Sequence, residues 1–177
     1  AEPREYKLDT EHFAIAFLTH HLGLADTLGM FREASGSFTY DAEAQTISDV
    51  TITVQTDSVF TNHEARDEHL RGPDFLNSKE YPTMTFTADE AEVTGEDTGK
   101  IHGQLTLLGE TNPLTLDVTY GGGRKYPFGD GHYAIGVSAR GSLKRSYYGM
   151  TYVVDNGWVG DEIHLIIEFE AIRQPKG

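Results

Sequence analysis

The chain has 177 residues, which is the length of one domain and enough to bury a sizeable hydrophobic core. Its 28 acidic side chains outnumber its 14 basic ones, and the net charge of −14 disfavours binding to nucleic acid or to anionic lipid headgroups. The chain contains no cysteine, which excludes disulfide bonds, thiolate zinc sites and cysteine nucleophiles.

The N-terminal residues predict one long, bent strand and then a turn region. The strand covers residues 6–9 and 13–19, and we assign the large β-forming side chains of its second piece to the interior. These inward residues are Phe13, Ile15 and Phe17. The longest apolar run, Phe13–Leu18, is far shorter than the roughly 20 residues that a membrane helix needs. Residues 24–35 show no clear period, so they predict a turn region in which Phe31 is a core anchor.

Further segments alternate with a period of two, which is typical of strands with one buried face. They cover residues 36–41 and 47–55, and another strand follows from about residue 83. The side chains assigned to the interior of these strands are Phe38, Tyr40, Val50, Ile52, Val54, Met84 and Phe86.

The stretch over residues 61–82 breaks the strand pattern. Thr61 and Glu64 have the spacing of a capping box, and Gly72 with Pro73 stops a helix, so we predict a short helix over about residues 62–71. Its apolar groups, with those of the turn that follows, include Leu70 and Phe75. A helix this short needs the support of a sheet. We therefore expect it to cap one open end of a barrel.

The second half of the chain continues as hairpins. Its inward side chains are Leu105, Leu107, Leu114, Leu116, Ile135, Val137, Leu165 and Ile167. Residues 121–131 are glycine-rich and lack a period, so they predict a long flexible connector, and residues 145–155 are ambiguous. Eight strands of about ten residues favour antiparallel pairing. Because closure removes sheet edges, we predict an all-β, eight-stranded antiparallel barrel in a single domain, 1–177.

Four motifs give the chain a family resemblance. They read T-N-H-x-x-R-D-x-H-L from position 61, Y-P-x-x-x-F from 81, G-x-L-T-L-x-G-x-T-x-P from 103 and R-S-Y-Y-G-M from 145. Together with matching residues from Tyr6 to about Ile172, they resemble the YceI-like family, the lipocalin-like binders of polyisoprenoids. In the fourth motif, Tyr147 and Tyr148 stand where the family usually has Asp and Phe.

The resemblance implies a fold, a ligand and a location. YceI-like proteins are eight-stranded lipocalin-like barrels, usually periplasmic, which hold a long isoprenoid such as a ubiquinone-like molecule in an apolar tunnel. No catalytic residue comes with the family, and the expected role is carriage, storage or stress protection. The chain begins Ala1-Glu2-Pro3 without Met, so we expect a periplasmic protein whose signal peptide was removed. We expect a monomer or homodimer that is not membrane-embedded and needs no cofactor.

We predict that the lipid contacts the inward side chains, together with groups at the capping helix and Tyr148. The predicted lipid-binding residues are Phe13, Ile15, Phe17, Phe31, Phe38, Tyr40, Val50, Ile52, Val54, Leu70, Phe75, Met84, Phe86, Leu105, Leu107, Leu114, Leu116, Ile135, Val137, Tyr148, Leu165 and Ile167. Periodicity alone favours a solid core filled by the same side chains, because inward apolar residues are what any strand needs. The family resemblance is what favours an open lumen.

Two chemical alternatives depend on histidines. A lipid-modifying enzyme would use His21 or His69 as a base in the same lumen, although the sequence indicates no Ser-His-acid constellation. His63 and Asp67 have the spacing of a zinc-protease motif, but Asp occupies the second histidine position, so we predict no metal site there. Adjacent histidines on a strand point to opposite faces, so His20 and His21 do not share a metal either.

The pair Arg66-Asp67 in the predicted helix has two interpretations. These side chains either hold the polar head of a quinone or phosphate near the barrel mouth, or tie the helix to the barrel rim by charge-assisted hydrogen bonds. We favour the structural interpretation, because helix-surface charges most often serve the helix itself. The sequence leaves the two open.

Overall fold

The computed structural model describes residues 2–177, which contain ten strands, one α-helix and two short 3-10 helices. The strands are β1 (Arg4–His21), β2 (Ala25–Phe31), β3 (Ala34–Asp41), β4 (Thr46–Gln55), β5 (Val59–Phe60), β6 (Thr83–Val93), β7 (Thr98–Leu107), β8 (Glu110–Lys125), β9 (Tyr133–Lys144) and β10 (Val159–Arg173), and the helix is α1 (Glu64–Arg71). Ala1, on which the expectation of a removed signal peptide partly rests, lies outside the described residues. No helix in the described range is long and apolar enough to cross a membrane.

Eight of the strands close into a ring. Their hydrogen-bonded order is β10-β9-β8-β7-β6-β4-β3-β1, and β1 pairs with β10 to complete the circle. The remaining two strands extend the sheet from the second half of β1, where β2 pairs with β1 and β5 pairs with β2. All of these pairings are antiparallel. The predicted all-β, eight-stranded antiparallel barrel with a short helix is therefore confirmed.

The first strand reaches two neighbours because it is interrupted. Residues 4–7 of β1 pair with β3, residues 15–21 pair with β2, and the register against β10 shifts between Leu8 and Phe13. A bulge bends a strand and increases its twist, and both changes help a sheet to close on itself. The prediction of one long, bent first strand is confirmed.

The predicted turn region over residues 24–35 is wrong, because residues 25–31 form β2. Thr27 and Phe31 line the barrel interior, and Gly29 lies between them on the same face. A Cβ atom on Gly29 would lie 2.3 Å from the ring of Phe17, so only glycine leaves room for that ring. The alternation of this strand was not visible in the sequence, because Gly29, its middle inward residue, has no side chain.

The predicted flexible connector over residues 121–131 is shorter than expected. β8 continues to Lys125, and only residues 126–132 form the loop before β9. The register against β9 shifts between Tyr120 and Gly123, which removes the alternation that would have marked a strand. A Cβ atom on Gly123 would lie 2.4 Å from the hydroxyl of Tyr133, so this glycine allows close approach of the two strands.

The predicted helix is confirmed, but its N-terminal cap is a different residue. His63 is the cap, and its Nδ1 accepts the backbone N–H of Arg66 at 3.1 Å. Thr61 does not form a capping box with Glu64, because its hydroxyl is bonded to Asp67. Since Leu70 lines the barrel interior, the helix lies over one end of the barrel as predicted.

Candidate functional site

A cavity of about 950 Å³ occupies the inside of the barrel and reaches residues at both of its ends. We name the ends by the segments that surround them. The helix end is formed by the β1–β2 turn (residues 22–24), α1 and residues 145–158. The turn end is formed by residues 42–45, 94–97 and 126–132. Because exposed residues line the cavity at each end, it communicates with solvent at both.

The walls of the cavity are almost entirely apolar. All of the predicted lipid-binding residues except Phe13 and Tyr148 line it. Their contact with a lipid stays a prediction. The lining also contains side chains that we did not select from the sequence, although their positions follow the same alternation in β1, β8 and β10. These include Leu8, Val118, Tyr120, Ile163 and Phe169.

Two of the selected residues lie outside the lining. Phe13 is half-buried immediately after the bulge of β1, where the alternation is interrupted. Tyr148 is 2% exposed in a 3-10 turn and packs in the core cluster. Burial raises the pKa of its phenol, which keeps the hydroxyl neutral. The structure therefore gives Tyr148 a place in the core beside the cavity instead of in its wall.

Arg66 and Asp67 tie the helix to the end of β5. Asp67 is 5% exposed, and its Oδ1 accepts the backbone N–H of Thr61 at 2.7 Å and the Thr61 hydroxyl at 2.5 Å. Arg66 donates from Nε to the same hydroxyl oxygen at 2.7 Å and from Nη2 to the Thr61 carbonyl at 2.6 Å. These charge-assisted bonds support the structural interpretation of the pair. Arg66 also lines the cavity, so one cationic side chain remains close to the helix-end opening.

A buried cation holds the segment between β9 and β10. Arg145 is 1% exposed and donates three hydrogen bonds, to the carbonyls of Gly160 (2.9 Å), Met150 (3.1 Å) and Val159 (2.9 Å). Desolvation lowers the pKa of Arg145, but a guanidinium remains charged at neutral pH. The fourth sequence motif is thus a clamp that folds residues 145–160 back over the barrel. Sequence reasoning missed this role, because the three acceptors are backbone atoms.

The turn end has the opposite electrostatic character. The cavity there is lined by carboxylate residues, which are Glu92, Glu96 and Asp97. Deeper inside, the rings of Tyr40 and Tyr120 lie 5.8 Å apart. Burial raises the pKa of Tyr120 to about 12, so its hydroxyl is neutral and able to donate a hydrogen bond.

The two histidines of the enzyme alternative both line the cavity. His69 places Nε2 at 2.9 Å from Asp74 Oδ2 and packs edge-on against Phe75 and Tyr152. Within residues 2–177, neither His21 nor His69 is hydrogen-bonded to a serine or threonine hydroxyl. A nucleophile activated by an imidazole base needs that bond.

One group outside the cavity has the chemistry of metal ligands. Asp9, His12 and Glu170 offer three ligand atoms within 4.8 Å of one another, a donor set that suits zinc or manganese. His12 Nδ1 lies 2.9 Å from Asp9 Oδ2, and the Tyr126 hydroxyl donates to Glu170. The bond to Asp9 raises the pKa of His12, which opposes metal binding because a ligating imidazole is neutral. Sequence reasoning missed the group, since Glu170 comes from the last strand; the absence of a metal stays a prediction.

Comparison with known proteins places the whole chain in one family. The profile of the YceI-like domain matches residues 6–171. A UPF0312 protein of Pectobacterium carotovorum is 40% identical over 172 residues, which cover 96% of this chain and 87% of that protein. The YceI protein of Escherichia coli is 38% identical over 172 residues, with the same coverage of both chains.

Solved structures agree with this result. The YceI protein of Campylobacter jejuni is 33% identical, covers 88% of this chain and 90% of its own, and superposes with a TM-score of 0.79. A polyisoprenoid binding domain of Saccharophagus degradans covers 98% of this chain and 100% of its own with a TM-score of 0.68. At 12% identity, that domain shows a likeness of fold alone. From the family profile and the sequence relatives, the chain belongs to the YceI-like family.

Proposed function

We propose that this protein binds one long-chain polyisoprenoid, a ubiquinone-like molecule or another prenylated lipid, inside the barrel without changing it chemically. The observation that carries the proposal is the apolar cavity of about 950 Å³ that runs between the two ends. Burying a methylene group contributes ~0.8 kcal/mol, and ordering a flexible chain offsets part of that gain. The barrel would hide the lipid tail from water for carriage, storage or stress protection.

The size of the cavity indicates the length of the tail. An apolar cavity of about 150 Å³ accepts one benzene molecule, which is about 25 Å³ for each carbon atom. At that density, the cavity of about 950 Å³ holds roughly 38 carbon atoms, or between about seven and eight isoprene units. Strands of about ten residues rise ~33 Å, so the space is long and narrow and suits a chain-like ligand.

Two further observations favour this function over its alternatives. The structural neighbour from Saccharophagus degradans is described as a polyisoprenoid binding domain, which supports the class of ligand. A solid core packs at the density of an organic crystal, so a structural protein would not keep a space of this volume inside its barrel. The non-catalytic role and the periplasmic location stay predictions.

The experiment that tests the function measures stability against tail length. The purified protein is stripped of lipid, its fold is checked by circular dichroism, and it is melted with quinones of increasing tail length. Ligand at a hundred times its Kd contributes about 2.7 kcal/mol of stability, which is a rise in Tm of roughly 5–11 °C for a domain of this size. We expect the rise to increase up to about eight isoprene units and then to stop. A flat series would contradict the proposal.

A single substitution in the cavity wall provides the matched test. Leu105 is buried, lines the cavity and faces Phe86 across the β6–β7 pairing. Leu105→Glu places an unpaired carboxylate in the path of the tail, so we expect quinone affinity to fall at least about a hundredfold. The control is Gln104→Glu, which adds the same charge at the exposed neighbouring position and should bind quinone normally. Equal binding by both folded variants would show that the lipid lies elsewhere.

A further inference from the structure

The helix end carries large apolar side chains that the fold leaves exposed. We call this group the rim; it consists of Leu22 and Leu24 in the β1–β2 turn, Leu28 on β2 and Trp158 before β10, which are 51% to 79% exposed. The backbone N–H of Leu22 donates to the Trp158 carbonyl at 2.7 Å, which holds the two segments together. Leu22 and Trp158 also line the cavity, so apolar surface continues from the inside of the barrel to the outside.

The turn that presents the rim departs from ordinary turn chemistry. Leu22 and Gly23 have φ angles of 52° and 69°, and the N–H of Leu24 donates to the His21 carbonyl at 2.9 Å. Two left-handed central residues are typical of a type I′ turn, which favours Asn-Gly and rarely accepts leucine. Val153, which lines the same opening, is also left-handed at φ 51°. Locally unfavourable residues at an exposed position are typical of functional surfaces.

We propose that the rim docks the helix end on a lipid bilayer with zwitterionic or uncharged headgroups, where the cavity exchanges its lipid; the exchange rests on the proposed function. Exposed leucines enter the boundary between headgroups and acyl chains, and tryptophan prefers that interface. The net charge of −14 opposes anionic membranes, so the attraction is hydrophobic instead of electrostatic. Two pairs of ionisable side chains lie on the wall beside the rim, His20 with Asp26 at 2.8 Å and His164 with Glu162 at 3.6 Å, and in each the carboxylate already has a partner.

Other orientations and occupants fit this surface less well. The turn end has carboxylate residues around its opening, which would have to lose water on contact with a bilayer. Four side chains of this size expose on the order of a few hundred Å², which is enough to mark an interaction site. A stable dimer buries about 800 Å² on each partner. The rim is therefore too small for a second copy of the chain and fits a bilayer, which needs no shape complementarity.

The test is flotation of the full chain with phosphatidylcholine vesicles that contain no isoprenoid. We expect the wild-type protein to float and Leu24→Ser/Leu28→Ser to bind vesicles about a hundredfold more weakly, at about tenfold for each leucine. Neither leucine lines the cavity, so quinone delivered in detergent should bind this variant normally. The control Phe128→Ser removes an aromatic side chain that is 69% exposed at the turn end, and it should float like the wild type.

The outcomes separate docking from lipid binding. Slower quinone uptake from vesicles by the double variant, with unchanged affinity in detergent, would support the proposal. Failure of the wild-type protein to float, or equal flotation of the double variant, would overturn it even if quinone binds in detergent. Light scattering that shows a dimer split by the double variant would also overturn it, in favour of a second copy. Failure to bind quinone in detergent would count against the proposed function, while flotation reports docking alone.

Discussion

The two ends of the cavity are built from different chemistry. At the helix end, Arg145 and the Arg66–Asp67 pair are bonded to backbone groups and to Thr61, and the exposed rim beside them is apolar. At the turn end, carboxylates surround the opening and tyrosines lie below them. One end is therefore shaped by arginines that stay charged at neutral pH, and the other by acidic groups and neutral phenols.

This difference gives the cavity a direction. His21 and Arg66 line the cavity at the helix end, and the nitrogen donors of such side chains suit the oxygen atoms of a quinone or phosphate head. The carboxylates of the turn end repel such oxygens. We therefore expect the head of the lipid at the helix end and the tail towards the turn end.

The largest effect that we expect comes from breaking the clamp of the helix end. Arg145→Met keeps an unbranched apolar stem but leaves three carbonyl acceptors, those of Met150, Val159 and Gly160, without their donor. Because a buried acceptor without a partner costs about 1–3 kcal/mol, we expect the free energy of unfolding to fall by about 3 kcal/mol or more. Urea denaturation followed by circular dichroism measures this loss.

The matched control replaces an exposed arginine by the same residue. Arg140 is half exposed and pairs with Glu168 at 2.6 Å on the outer wall. Exposed pairs contribute ~0–1 kcal/mol, so Arg140→Met should change stability little. A loss of similar size in the two variants would mean that burial of Arg145 adds nothing, and that the helix end is held in another way.

The second prediction tests the direction of the cavity. Trp158 is the only tryptophan of the chain, and it lines the opening of the helix end. A quinone ring quenches an excited indole by accepting an electron at short range. If the head lies at the helix end, a bound ubiquinone-like ligand should remove most of the Trp158 fluorescence, whereas a polyprenol of the same length should remove little.

The control moves the fluorophore to the other end. Trp158→Phe removes the native tryptophan, and Val93→Trp in the same chain places an indole at the turn end, where residue 93 lines the cavity and is half exposed. We expect weak quenching by the quinone in this double variant. Stronger quenching at the turn end than at the helix end would reverse the direction that we infer.

Much of the barrel was predictable, because strand periodicity depends on side chains that are close in sequence. Segments such as β4 alternate without interruption, and their inward residues line the cavity. β2 was not predicted as a strand because Gly29 has no side chain, and the end of β8 was not predicted because its register shifts before Gly123. In both places the glycine is required by a ring on a neighbouring strand, and sequence alone does not show that neighbour.

The clamps of the helix end were less predictable. Their motifs were visible as a family resemblance, but the acceptors of Arg145 are backbone carbonyls, which cannot be identified from residue types in the sequence. The bond between Thr61 and Asp67 replaces the capping box that the spacing of Thr61 and Glu64 suggested, and the buried carboxylate is the stronger partner because it accepts two hydrogen bonds. Local rules therefore described the helix, and tertiary contacts decided how it is attached.

The smallest effect concerns the tyrosines and appears only at alkaline pH. Burial is the main cause that raises the pKa of Tyr120 to about 12, and the nearby groups of Tyr133, Tyr40, Tyr6 and Asp97 raise it further. At the helix end, burial alone raises the pKa of Tyr148. Since the phenol ionises first in the unfolded chain, the stability of the fold is intact below pH 10 and declines as the pH rises towards 12. Tyr120→Phe should leave Tm unchanged at pH 7. Between pH 10 and pH 12, it should reduce the fall in Tm more than Tyr148→Phe does. If the two variants change the dependence of Tm on pH equally, the groups around Tyr120 add nothing to the effect of its burial.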